Sequence, residues 1–289
     1  MISARQKMGR TLFEIEERSG QKVRRIVGKI CRHEKAKVLY QALRGLWMSG
    51  WRPPDKYTVS EPVAYFPERC LILQEKAPGR PALEAILAGG EKAESAGQAC
   101  AQWLARLQAM QIFAPPADGI VHKMTLQSRG LQALLPGESE RIGRIQHRIE
   151  EVLSTEPTET VPSHGDFHGL NVLIHADRRV TGIDLDKYSK KEPEADAAYF
   201  LAETAAQGFL GGEGFSCTQM ARAAFLKTYL AERGSSFNRE RAGALMAAAF
   251  LQHLHFELVL LKTKHTELAA PWLEAAESTV FEGNLELTG

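Results

Sequence analysis

Apolar and polar residues alternate along positions 11–17 (Thr-Leu-Phe-Glu-Ile-Glu-Glu) and again along 22–30, where Val23, Ile26 and Ile30 are apolar. Arg18-Ser19-Gly20-Gln21 between the two runs is turn chemistry, so the pair predicts a β-hairpin. Residues 34–48 switch to helical spacing, with Ala36, Leu39, Tyr40, Leu43, Leu46 and Trp47 on one face. Trp51-Arg52-Pro53-Pro54 ends that helix, and residues 59–65 and 69–74 predict two further strands. From Leu83 the 3.6-residue period dominates. It predicts a helix over 91–111, with Cys100, Trp103, Leu104 and Leu107 in one stripe, then helices over 120–135, 138–153, 218–232, 239–263 and 271–280. The pattern is that of an α+β chain: a small antiparallel β-sheet lobe over residues 1–77 and a large helical lobe over residues 78–289.

One stretch interrupts the helical part. Ser163-His164-Gly165-Asp166-Phe167-His168-Gly169-Leu170-Asn171 is a glycine-bearing loop; it feeds a short apolar strand, a turn at Ala176-Asp177-Arg178-Arg179, and a returning strand that ends in Ile183-Asp184-Leu185-Asp186. Such a hairpin holds Asp166, Asn171 and Asp184 near one point. A carboxylate, an amide oxygen and a second carboxylate are hard oxygen ligands, the kind Mg²⁺ accepts while keeping substrate phosphates and waters. Phosphoryl transfer needs an Asp to orient and deprotonate an attacking hydroxyl, and an Asn and a second Asp to hold the metal. Protein kinases space the first two as D-x-x-x-x-N, and Asp166 to Asn171 has that spacing. Two other patterns carry less. Gly208 to Gly214 follows a helix and leads to another, so it reads as an interhelix loop. His253 and His255, two apart on a helix, do not face each other and make no metal pair.

The run H-G-D-F-H-G-L-N-V-L followed by I-D-L-D resembles the aminoglycoside phosphotransferase and choline kinase family of small-molecule kinases. That resemblance implies a two-lobed, protein kinase-like fold and an ATP- and Mg²⁺-dependent phosphotransferase acting on a hydroxyl of a small molecule such as an aminoglycoside, a sugar or an amino alcohol. It implies Asp166 as catalytic base, Asn171 and Asp184 as Mg²⁺ ligands, and His164, Asp186 and Asp196 as supporting residues, with Asp196 reaching back to the catalytic loop. It implies Lys29 on the hairpin as the partner of the α/β-phosphates, and Glu34 as the residue orienting Lys29. Glu34 serves equally well as an acidic residue at a helix N-terminus. Glu75-Lys76-Ala77-Pro78-Gly79 matches the interlobe hinge, with backbone groups from Glu75 to Ala77 meeting the adenine edge. Two departures stand out. Gln108 occupies the place of a His that packs on the catalytic loop. Only ten residues, with one glycine, precede Thr11, so a first strand is expected to be missing or the phosphate-covering loop reduced, unless the start is misplaced. That departure keeps a second function open: a catalytically silent, kinase-like binding or regulatory protein.

Composition changes this picture little. The 289 residues are 44% hydrophobic and 25% charged with a formal net charge of +1, so overall charge names no partner. Residues 1–60 hold 14 Lys/Arg against 5 Asp/Glu and the remainder the reverse excess, but no nucleic-acid motif accompanies the basic part. The expected partners are a nucleotide and a hydroxylated small molecule, without nucleic acid or membrane; oligomeric state stays open. Asp184, Asp186, Glu192, Glu194 and Glu203 lie close in sequence and suit a cationic acceptor. Four cysteines without a C-x-x-C pair read as free thiols, and no apolar run or leader pattern marks a membrane span or export; the expected location is cytoplasmic.

Overall fold

In the computed structural model, described for residues 3–287 except 8, 9, 21, 118, 235, 236 and 264, the chain begins with a strand. Strand β1 (Ser3–Lys7) pairs antiparallel with β2 (Arg10–Ser19), which forms the expected hairpin with β3 (Lys22–Ile30). A first strand is therefore present, which removes the first of the alternatives raised by the short N-terminal stretch. Its Ser-Ala-Arg-Gln-Lys sequence has no apolar alternation; it is an edge strand, defined by its register with β2. Residues 8 and 9, including the only glycine before Thr11, lie outside the described residues.

Helix α1 (His33–Met48) follows and buries Ala36, Leu39, Leu43 and Leu46. The apolar run after it divides in two. β4 (Tyr57–Val59) leaves this sheet, while β5 (Pro62–Phe66) and β6 (Leu71–Glu75) complete it in the order β1-β2-β3-β6-β5, antiparallel throughout. Tyr40 of α1 stacks on Tyr65 of β5 at 5.3 Å between ring centroids, which fixes the helix on the sheet.

β7 (Arg80–Pro81), α2 (Ala82–Leu87), α3 (Gly90–Gln108), α4 (Ile120–Leu134) and α5 (Ser139–Leu153) lead to the central loop. Around that loop run the short strands β8 (Val161–Ser163), β9 (Val172–Ile174), β10 (Val180–Gly182) and β11 (Ser189–Lys191). A second sheet has the order β4-β10-β9-β7, with β4 parallel to β10, so one strand from the first quarter of the chain supports the catalytic hairpin. β11 pairs antiparallel with β8.

The remaining helices are α6 (Glu194–Leu210), α7 (Gln219–Arg233), α8 (Arg239–His255), continued as a π-turn over Phe256–Leu260, and α9 (Ala269–Glu282). α3 and α7 touch closely at Gly97, where a Cβ would run into the Ala221 carbonyl. The stretch Arg239–Leu260 is long and apolar enough to cross a membrane by length and composition, but 61% of its apolar window is buried in the protein, as the central helix packed by α6 and α9.

Candidate active site

The loop from His164 to Asn171 is held from below by aromatic packing. Phe167 is fully buried, stacked on Trp103 of α3 at 5.6 Å and tilted against Phe200 of α6 at 5.7 Å. Trp103 in turn donates its indole N–H to Thr58 O of β4 at 3.1 Å. From α6, Asp196 accepts the backbone N–H of His164 at 2.6 Å and that of Gly165 at 2.9 Å. Those amides belong to a turn that needs glycine: Gly165 has φ +81°, and a Cβ there would meet the Lys187 carbonyl.

His164 and Asn171 clamp the same residue of the returning strand. The His164 Nε2 donates to Ile183 O at 2.8 Å while its Nδ1 accepts the Asp166 N–H at 3.3 Å. The Ile183 N–H donates to Asn171 O at 2.9 Å. Asp184, with φ +62°, therefore directly follows a residue tied to both ends of the loop. The side-chain amide nitrogen of Asn171 gives one hydrogen to Asp166 O at 2.9 Å and the other to His168 Nε2 at 3.0 Å. That partner set requires His168 to be neutral. Burial holds its pKa below the ordinary histidine value, against the pull of Glu203 and Asp166.

Lys29 reaches this point from the small sheet, 155 residues away in sequence from Asp184. It is buried, at 5% exposure, with its Nζ 2.5 Å from Asp184 Oδ1 and 2.9 Å from Asp186 Oδ1. Burial alone would lower its pKa, but the two carboxylates outweigh it and hold the ammonium above the usual lysine range. The backbone of Glu34 lies in the first turn of α1, but its side chain is outside the described residues.

Glu75 ends β6. Its N–H donates to Glu61 O at 2.9 Å, and the N–H of Lys76 to Arg25 O at 2.8 Å, so both amides are used in the small sheet. Burial and a hydrogen bond shared with Glu61 raise the Glu75 carboxyl pKa, against Arg24 at 3.4 Å. Ala77 follows at the start of the link to β7. Gln108 touches the segment before α6 rather than the loop: its Nε2 donates to Pro193 O at 2.9 Å.

Among the described residues no cluster of three or more His, Cys, Asp or Glu side chains is placed to hold a metal. Asn171 and Asp184 form a two-residue oxygen set, the number of protein ligands Mg²⁺ takes when phosphates and waters supply the rest. Both hydrogens of the Asn171 amide are donated within the loop, so its carbonyl oxygen is the atom left to act as a ligand. The residues present fit such an ion.

Sequence reasoning passed over two residues here. Lys187 is 2.8 Å from Asp166 Oδ1, and His168 orients Asn171. Lys187 directly follows I-D-L-D and His168 lies inside the loop motif, so both could have been noticed.

A small antiparallel sheet whose buried lysine meets two aspartates from a helical lobe, beside a D-x-x-x-x-N loop, defines the protein kinase-like class. Within it, the chain belongs to the phosphotransferase enzyme family (APH), whose model matches residues 18–245. No curated protein matches the chain. Solved structures share the fold at low identity. An aminoglycoside phosphotransferase from Alicyclobacillus acidocaldarius is 13% identical with a TM-score of 0.63, covering 98% of this chain and 91% of that one. A choline/ethanolamine kinase family protein from Mesorhizobium loti is 15% identical with a TM-score of 0.60, covering 94% and 91%. An amicoumacin kinase in complex with AMP-PNP, Ca²⁺ and Ami is 15% identical with a TM-score of 0.62, covering 97% and 88%.

Proposed function

We propose that the protein transfers the terminal phosphoryl group of ATP to a hydroxyl of a small molecule. The observation that carries this reading is the convergence of Lys29 with Asp184 and Asp186 beside the loop that holds Asp166 and Asn171. Asp166 orients the acceptor hydroxyl and takes its proton as the new O–P bond forms and the bond between the γ-phosphorus and the bridging oxygen breaks, releasing ADP. Asn171 and Asp184 hold Mg²⁺, which when bound neutralises charge on the β- and γ-phosphates. Lys29, kept protonated by its two carboxylates, meets the α- and β-phosphates. His164 and Asp196 keep the loop in place, and Asp186 holds Lys29. Adenine meets the link between lobes through the Ala77 amide and neighbouring carbonyls, since the amides of Glu75 and Lys76 are engaged. Little covalent chemistry falls to the protein, so placement and charge neutralisation supply the rate. The nucleotide and divalent ion bound by the amicoumacin kinase support the same pair here.

The test compares melting temperature with ATP in Mg²⁺ and in EDTA, for wild type and Asp184→Asn, alongside ADP release with hydroxylated acceptors. A ligand at a hundredfold excess over its Kd stabilises the folded state by about 2.7 kcal/mol. A Mg²⁺-dependent shift in wild type, absent in Asp184→Asn, is expected. Asp166→Ala should keep that shift and lose turnover by about a thousandfold. Nucleotide binding without turnover of any acceptor would instead favour the silent binding protein, a reading that has lost one of its motives now that β1 is in place.

A further inference from the structure

Lys29 marks which face of the small sheet turns to the site, because its ammonium reaches Asp184 and Asp186 of the helical lobe. Side chains two apart on a strand share a face, so Val27 and Arg25 of β3 lie on that face too. Residues directly opposite on paired strands also share a face. Leu12, Glu14 and Glu16 of β2, registered with Lys29, Val27 and Arg25, therefore line the same side.

Lys76 stands on the other side of β3 from Glu14. It directly follows β6, and its N–H donates to Arg25 O at 2.8 Å. Its ammonium nevertheless meets both oxygens of the Glu14 carboxylate, at 2.8 and 2.9 Å. Neighbouring strands lie about 4.8 Å apart, so the pair bridges two spacings, about 10 Å, with β3 between. Glu14 projects from the face of Val27, so the pair crosses β3 on the face turned to the site. The Lys76 side chain is 41% exposed and that of Glu14 30%, and such a pair adds little to folding stability.

In the phosphotransferase reading the base meets the Ala77 amide, one residue beyond Lys76, and the phosphates meet Lys29. The base then lies along β3 between those two points, where Val27 is the apolar side chain of the site face. Lys76 draws its four-carbon stem across the same stretch and leaves its charge with Glu14.

Resting on the phosphotransferase reading, we infer that Lys76, drawn across β3 by Glu14, is a nucleotide-positioning residue whose methylene stem joins Val27 in covering the purine base.

The experiment measures the Kd of ADP and of Mg²⁺–tripolyphosphate, together with KM for ATP and kcat. The proteins are wild type, Lys76→Ala, Glu14→Lys, Lys76→Glu and the exchanged double variant Glu14→Lys/Lys76→Glu, each with its melting temperature read without ligand. Lys76→Ala should weaken ADP about tenfold, the worth of roughly two buried methylene groups. KM for ATP should rise in step, the change falling on KM rather than on kcat. Tripolyphosphate, which has no base to cover, should bind as in wild type. Glu14→Lys and Lys76→Glu should each weaken ADP, and the double variant should recover it to within about threefold of wild type, since a lysine stem again crosses β3 and ends on a carboxylate. Equal or tighter ADP binding in Lys76→Ala overturns the inference and leaves the kinase reading standing; tighter binding would mean that the pair blocks the base. An equal loss for tripolyphosphate, or no recovery in a double variant that melts as wild type does, also overturns it. Lys76-dependent ADP binding without turnover of any acceptor sustains the inference and removes the kinase reading. Wild type that binds neither ADP nor ATP overturns both.

Discussion

Asn171 is oriented by what it gives away. Its two amide hydrogens go to Asp166 O and His168 Nε2, which leaves its carbonyl oxygen as the atom that could meet a cation. The proposed Mg²⁺ pair of Asn171 and Asp184 therefore depends on a neutral His168. The sign follows from the depressed pKa: the neutral form is favoured in the folded protein, so its contribution to stability is complete above the ordinary histidine value and is lost as pH falls through the lower folded value. Protonation also removes the acceptor for Asn171. The Mg²⁺ concentration needed for half-maximal activity should therefore rise on the acid side. His168→Gln, which keeps an acceptor oxygen and does not titrate, should flatten that acid limb. An acid limb unchanged in His168→Gln would assign it to another group.

At the level of elements, the catalytic hairpin is braced by a strand from the first quarter of the chain. β4 runs parallel to β10, and the segment before it is fixed to α3 by a two-pronged pair: Arg106 to Asp55, at 2.7 and 2.6 Å. The same guanidinium lies 5.1 Å from the Trp51 ring centroid. The Arg106 hydrogen bonds hold the Asp55 pKa down to about 2. The stabilisation from this pair is present above the ordinary aspartate value of 3.8 and is lost as pH falls through about 2. Both side chains are one-third exposed, so a double-mutant cycle with Arg106→Met and Asp55→Asn should give a coupling of only about 1 kcal/mol at neutral pH. That coupling should vanish below pH 2. A coupling near zero at pH 7 would mean that Trp51 and Trp103, both fully buried, anchor the segment without it.

Across the whole molecule, the small sheet and the helical lobe meet at the site through Lys29. Its buried ammonium is compensated by Asp184 and Asp186, so removing it takes away a cation that both carboxylates share. Lys29→Met should lower stability by about 2–3 kcal/mol, less than for a fully buried pair because both aspartates keep some exposure to water. It should also abolish the Mg²⁺–ATP melting shift. Denaturant unfolding and the melting shift together check both parts. A stable Lys29→Met that still binds nucleotide would separate the lysine from nucleotide binding and from the link between lobes.

The helices, the β2–β3 hairpin and the central loop were legible in the chain because each depends on neighbours in sequence. Helical and strand periods are local, Gly165 is required by its own turn, and Asp166 and Asn171 act over five residues of one loop. Other features depended on distant partners and could not be read locally. β1 has no apolar face, and only its pairing to β2 makes it a strand. Residues 59–65 read as one strand, yet Tyr57–Val59 and Pro62–Phe66 belong to different sheets because β10 captures the first. The acidic residues after Asp184 suggested a site for a cation. Tertiary contacts instead match them with Arg241, His253 and the amide of Asn238 before α8, and pair Lys187 with Asp166. Charge type is written in the sequence, but the net charge of a pocket depends on which of its groups find partners, and the packing of elements far apart in the chain decides that.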